Sequence, residues 1–514
     1  QGLLAVHQYY INGNEKEKDN EQNCCFCEQG ENSMNEKLDA RTKWSYCIGA
    51  TGRDAAYALV SMYLILYVQY TMNLTSAQFA VISAAMVVCM IWDAVNDLLM
   101  GIIIENTHFK MGKFKPWILI GCISNAIVIV CLFTIRPSGW GFVCFYSLFY
   151  LLWGMTYTMN DIAYWGVLPS LSSDPHTRDS LVTIMSIFVC IGQFSVAGVV
   201  PVVIAGNAVN AYRIVAMIVA LALVGFQMLT AFGIREKPRK EQNEKLSLKD
   251  MYRIFARNDQ LVAAGIASIF FNITCNILII FGVNFFYIEY GYSESGNLVF
   301  YFTVMYGLGM LISQASYASL ARHFSREKIL RVCFIALLAG YASFMGFGYI
   351  LPKNVILLNA IGFIIFFFQG LMNLAIIVMI NNTIEYDEAR FHERHDSVIS
   401  AVRSFSVKLA GGINQGLSTL VLLISGIYAR SQAISALEIE VNKGSLTSES
   451  ALVEANKVIA EITASQALLF RIGMVLIPVL ALIASYIIIR KKYHIDEGEY
   501  TRLITQKQET KSGC

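Results

Sequence analysis

The chain has 514 residues, of which 56% are hydrophobic and 15% charged, with a mean hydropathy of +0.52; a soluble domain carries about 25% charged residues. That excludes an ordinary soluble protein and places the chain in the membrane class. A formal net charge of +2 is too small to call for a nucleic-acid partner, and none is expected.

Gln1 to Ser33 is polar and charge-mixed and lacks the apolar core of a signal peptide. Met34 opens Met-Asn-Glu-Lys shortly before the first apolar run, so the native protein is expected to start near Met34, within a polar tail spanning 1–43. Peptides from before Met34 in mass spectrometry of the natural N-terminus would contradict this. Cys24, Cys25 and Cys27 cluster here but lack the further ligands of a structural zinc site. Most of the twelve cysteines lie singly in apolar stretches, such as Cys89, Cys122 and Cys190, and read as small apolar fillers rather than a disulfide framework.

A bilayer core about 30 Å thick needs roughly 20 apolar residues at helical rise. Such runs begin near Tyr46, Phe79, Trp117, Phe142, Leu181 and Val215, and again near Leu261, Leu298, Ile329, Val355, Val398 and Leu468. The expected fold is therefore an all-α membrane protein of twelve transmembrane helices. It has a six-helix bundle over 44–234, a linker over 235–260, a second six-helix bundle over 261–492 and a tail over 493–514. Two such halves suit a carrier whose site lies near the midplane between them.

Basic residues orient the chain. Lys110, Lys113 and Lys115 follow the second span, Arg178 the fourth, Arg322, Arg326 and Lys328 the eighth, and Arg390 and Arg394 the tenth. The linker adds Arg235, Lys237, Arg239, Lys240, Lys245, Lys249, Arg253 and Arg257, whereas the turns after the first and seventh spans have none. Both termini are expected in the cytoplasm, with Ala429 to Ser465 as an external loop, in a bacterial inner or plasma membrane. Within the linker, Leu248, Met251, Ile254 and Phe255 fall at helical spacing, which predicts a short amphipathic helix between Ser247 and Gln260.

Charged side chains inside spans are costly and usually face the bundle interior on an ion or substrate path. Here they are Asp54, Asp93, Asp97 and Asp161 in the first half and Arg403 and Lys408 in the second. Asp93 and Asp97 lie four residues apart, so in a helix their carboxylates share a face about 40° apart and repel. A shared cation, a shared proton or a paired base relieves that repulsion, and hard cations favour such oxygen ligands. Thr158, three residues before Asp161, adds a hydroxyl, giving a candidate Na⁺ or H⁺ site of Asp93, Asp97, Thr158 and Asp161. The plainer alternative is that these acids pair with Arg53, Arg403 or Lys408 to hold helices together. Trp165, one turn past Asp161, reads either as a sugar-stacking platform or as a packed core residue.

The run Trp92-Asp93-Ala94-Val95-Asn96-Asp97 with Gly101, then Gly112-Lys113-Phe114-Lys115-Pro116-Trp117, resembles the signature of the glycoside-pentoside-hexuronide:cation symporter family. Gly49-Ala50-Thr51-Gly52-Arg53-Asp54, Trp153-Gly154-Met155-Thr156-Tyr157-Thr158, Asp161, Trp165, Glu385-Tyr386-Asp387-Glu388 and Lys408 extend the resemblance in family order across both halves. It implies a major-facilitator fold and uptake of a small carbohydrate driven by Na⁺ or H⁺ through alternating access, with no cofactor beyond the coupling ion and a monomer in the bilayer. By the same resemblance, Asp93, Asn96, Asp97, Thr158 and Asp161 bind the cation. Asp54, Arg53, Asp161 and Trp165 meet the sugar, and Lys408 couples the two.

Three positions depart from the pattern. An arginine that grips galactosides in the family falls at Ser186, the usual Asn-Asp-Pro reads Asn96-Asp97-Leu98, and a common aspartate appears as Asn382. Arg403 supplies a charge where the family pattern has none and would suit a hexuronide carboxylate. Two other functions compete with symport: a transporter-fold sugar sensor without turnover, and a membrane prenyltransferase holding Mg²⁺ on Asp93 and Asp97, which would need a second acidic cluster.

Overall fold

The computed structural model describes residues 38–107, 109–172, 175–235, 248–391 and 396–512. The expectations on Met34, on Cys24, Cys25 and Cys27, and on Lys237, Arg239, Lys240, Lys245 and Arg394 fall outside these residues.

Among the described residues every regular element is a helix, as a chain crossing lipid without a closed barrel must be, because each backbone polar group needs an internal partner. The first crossing is composite: α1 (Ala40–Ala58) passes through a π-helical stretch (Leu59–Tyr63) into α2 (Leu64–Thr71). Five spans complete the first half: α3 (Ser76–Glu105), α4 (Lys115–Thr134), α5 (Gly139–Leu171), α6 (Pro175–Ile204) and α7 (Ala208–Gly233). The short α8 (Leu248–Arg257) leads into α9 (Asp259–Tyr290), α10 (Ser295–His323), α11 (Arg326–Gly346), α12 (Val355–Phe391) and α13 (Asp396–Ile424). Two further helices, α14 (Ile427–Lys443) and α15 (Ser448–Ala460), precede the last span α16 (Ala464–Lys492) and the tail helix α17 (Glu497–Ser512). Eleven of these helices are long and apolar enough to cross a membrane. The twelfth crossing is the composite one, whose first part carries Arg41, Lys43, Arg53 and Asp54 and is therefore too polar to stand out by hydropathy.

Local chemistry sets several ends. Thr75 and Gln78 form a reciprocal capping box at the start of α3, and Thr463 and Gln466 do the same for α16. Pro116 sits in the first turn of α4, where its missing N–H costs nothing.

The start of α1 lies beside the end of α7, Arg41 donating to Phe232 O at 3.4 Å, and the start of α9 lies beside the end of α16, Gln260 donating to Lys492 O at 3.4 Å. The chain start, α8 and the chain end thus share one end of the molecule, termed the linker end; α14 and α15 lie at the far end. Within the first half α1 is clamped between α6 and α7. Gly52 permits this: a Cβ there would stand 2.6 Å from Ala222 O.

The halves meet along α3 against α13, α6 against α10, and α2 against α14. At the first contact Gly411, Gly412 and Gly416 present no side chain to Val87 and Met90, the close approach that small residues allow between membrane helices. At the second, Phe194 and Tyr306 stack edge to face with centroids 5.5 Å apart.

The predicted amphipathic linker helix is α8. Ile254 is buried and Arg257 lies 3.7 Å from Asp387. Tyr386 donates to Asp259 at 2.9 Å and Arg390 pairs with it at 3.0 Å, so the Glu385 to Glu388 run fastens the linker to the second half. The segment expected as an external loop, Ala429 to Ser465, is largely the helices α14 and α15.

Candidate functional site

The contact of α3 with α13 brings Lys408 across to the first half. Its ammonium lies 2.8 Å from Asp93 and closer still to Asp97. Thr158 of α5 donates to Asp93 at 2.9 Å and stands 3.0 Å from Asp97, so the two carboxylates that repel as neighbours on α3 are bridged twice. Gly154, one turn before Thr158, leaves the room: a Cβ there would stand 3.4 Å from Asp93 Oδ1. The three charged side chains are about a quarter exposed. The Lys408 ammonium thus sits between the two carboxylates toward which it was expected to reach.

Asp161 is held elsewhere. Arg53, 1% exposed, forms a two-pronged hydrogen bond with Asp54 at 3.0 and 2.7 Å and an ion pair with Asp161 at 3.2 Å. Its guanidinium lies 4.5 Å from the Tyr164 ring centre and 5.6 Å from that of Trp165, and Gln193 of α6 donates to Asp54 at 3.4 Å. The candidate set of Asp93, Asn96, Asp97, Thr158 and Asp161 is thus divided in this state. Arg53 holds Asp161, and the buried Asn96 amide nitrogen has no hydrogen-bond partner among the described residues. Among the described residues no three acids, histidines or cysteines come together to hold a metal ion. The pairing of acids with Arg53 and Lys408 that the plainer reading anticipated is present, but one pair lies within a bundle and the other joins two.

Between the clusters runs an aromatic ladder on α5, with Tyr150 and Trp153 5.4 Å apart, Trp153 and Tyr157 5.8 Å apart, and Tyr57 of α1 5.2 Å from Tyr157. The indole nitrogen of Trp165 and the hydroxyl of Thr51 are buried without partners among the described residues. Arg403 is partly buried and makes no ion pair among the described residues. Ser186 bonds its own helix, donating to Val182 O at 2.8 Å. Asn382, with its amide turned to satisfy both neighbours, accepts from Arg326 at 2.9 and 3.0 Å and so ties α12 to α11. Leu98's side chain lies outside the described set.

Sequence reasoning missed Gln193, the aromatic ladder beyond Trp153, and the glycines of α13. Gly412 and Gly416, with Gly411 beside them, were legible as small residues four apart on a span, the pattern of close helix contact; the partner of Asp54 on a distant helix left no local signal.

The pattern of the family described as MFS/sugar transport protein matches residues 45–497. The chain belongs to that family. It is 25% identical to the lactose permease of Lactobacillus delbrueckii subsp. bulgaricus over 92% of this chain and 73% of that protein. It is 24% identical to the raffinose carrier protein of Pediococcus pentosaceus, over 90% and 71% of the two chains. In fold it resembles a bacterial homologue of the human lysosomal transporter Spinster, solved in an inward-facing and unoccupied conformation, with a TM-score of 0.61 at 13% identity over 89% of this chain and 98% of that one. The carrier is thus a multi-pass, all-α sugar symporter of the major facilitator type, as the resemblance implied, and not an enzyme; the prenyltransferase alternative is set aside.

Proposed function

We propose that the carrier takes up a glycoside, pentoside or hexuronide together with Na⁺ or H⁺, and that Lys408 and the coupling cation exchange for one place between Asp93 and Asp97. The observation that carries this reading is the Lys408 bridge from the second half to both carboxylates beside Thr158. A hard cation entering there finds three oxygens already converged, but it must displace the ammonium. Displacement releases one tie between the halves, and Asn96 and Asp161 then complete the ion's ligands.

The sugar is assigned to the neighbouring cluster. Arg53, Asp54 and Asp161 supply donors and acceptors for hydroxyls, the Trp165 ring offers a stacking face, and its unpaired indole N–H a further donor. Arg403, without an ion pair among the described residues, is left for a substrate carboxylate, which favours a hexuronide. We read that end and both termini as cytoplasmic in a bacterial cell, a reading the basic residues at the linker end support. The contact of α2 with α14, which closes the far end, supports reading this state as inward-facing. The carrier works as a monomer with no nucleic-acid partner.

The test is uptake of labelled glycosides, pentosides and hexuronides into proteoliposomes under an imposed Na⁺ or H⁺ gradient. Accumulation of one sugar class above its outside concentration with one ion is expected. Binding of sugar without gradient-driven accumulation would establish a sensor instead.

A further inference from the structure

At the far end the second half reaches over the first. Helix α14 lies between the last two spans of the second half, yet its side chains bind the first. Gln432 accepts from Leu74 N at 2.8 Å and donates to Gln69 O at 3.0 Å; Tyr428 donates to Leu74 O at 3.0 Å and stacks on Phe79 at 4.3 Å. The charged member of this contact is Glu438, 1% exposed. Its carboxylate accepts from Gly206 N at 2.9 Å, from Ala208 N at 2.6 Å and from the Tyr292 hydroxyl at 2.7 Å.

Gly206 and Ala208 frame the start of α7, a first-half span whose N-cap residue, Asn207, makes no side-chain cap bond. The first amides of a helix need an outside acceptor, and its positive end favours an anion. Here the acceptor comes from the opposite half of the carrier. Tyr292 fixes the same carboxylate from the second half's own side, and Asn456 of α15 in turn accepts from Tyr292 N at 2.7 Å, seating the cap.

We propose that Glu438 is the latch of the far-side gate: it caps α7 across the interface between the halves while the far side is closed, and lets go when that side opens. This rests on the alternating-access reading above. Burial pushes the Glu438 carboxyl up from its ordinary range, against the three donors that pull it down. Burying the charge thus offsets part of what the bonds gain. Once the halves part, water solvates both the carboxylate and the α7 amides, so the latch is releasable. Removing the carboxylate instead leaves two buried N–H groups and a phenol without an acceptor, a state that opening relieves.

The experiment uses the full chain in proteoliposomes with the native cysteines replaced and a single cysteine at Val283, which is 4% exposed and lines an apolar cavity between the halves with Tyr63, Ala197 and Phe286. A membrane-impermeant maleimide is added from the far side. Glu438→Ala is expected to speed labelling by about tenfold or more, and Tyr292→Phe by a smaller factor in the same direction. Unchanged labelling in both variants, while the parent's labelling responds to sugar and cation, overturns the latch and leaves alternating access standing. A parent whose labelling never responds to either overturns the alternating-access reading and the latch with it. Should Glu438→Ala fail to fold, Tyr292→Phe decides by the same criterion.

Discussion

The two charge clusters in the membrane differ in where their neutralising base comes from. Arg53 meets Asp54 and Asp161 inside one bundle, is 1% exposed and is boxed in by Tyr164 and Trp165. Lys408 meets Asp93 and Asp97 across two bundles, about a quarter exposed, at the end of a long flexible stem. A pair inside one bundle travels with it as a unit. A pair that joins two bundles must break or be replaced whenever they part, so it can report on an ion. On the proposed reading the arginine cluster serves position and the lysine cluster exchange. Arg's planar fork brings two donors to one oxygen of Asp54, whereas a lysine ammonium is a compact point charge.

Breaking each cluster should therefore fail differently. The largest effect on the folded state is expected from Arg53→Gln, which leaves two carboxylates in the first bundle without their base; loss of a buried partner costs about 3–5 kcal/mol. A fall in the melting temperature of the detergent-purified protein, with sugar binding lost, checks it. Asp97→Asn should spare folding but abolish cation-driven accumulation while downhill exchange persists, measured as uptake with and without an imposed gradient. Preserved concentrative uptake would count against the assigned role. Thr158→Ala removes one hydroxyl from the lysine cluster and should weaken cation affinity by roughly fivefold, in line with about 1 kcal/mol for a single hydrogen bond, read by titrating the ion against thermal stability. The narrowest effect belongs to Arg403→Gln: affinity for acidic sugars should fall while neutral sugars bind as before, and unchanged affinity for a hexuronide would remove Arg403 from the site.

Much of this was legible because a membrane makes sequence unusually explicit. Apolar runs at bilayer length marked the spans, and each charge inside one stood out against them, so Asp54, Asp93, Asp97, Asp161, Arg403 and Lys408 were all identifiable before their partners were. Helical spacing put Asp93 beside Asp97. What spacing within one helix cannot tell is which helix comes opposite. That Thr158 faces Asp93 while Asp161, three residues on, turns to Arg53 depends on how α5 is rotated against α1 and α3. The far-end cap was illegible for another reason. Glu438 sits in a run of mixed charge that reads as solvated loop, and its burial arises only because α14 folds over the start of a helix more than two hundred residues away.

The most direct test of the account is the cation affinity of the purified carrier with and without Lys408. If lysine and ion compete for Asp93 and Asp97, Lys408→Ala should bind the coupling ion more tightly than the parent, by about tenfold or more for loss of a charge-assisted competitor, while the ion no longer raises sugar affinity and accumulation is lost. In the parent, ion and sugar should raise each other's affinity by the same factor. Cation affinity that is unchanged or weakened in Lys408→Ala, with coupling to the sugar intact, would contradict the account.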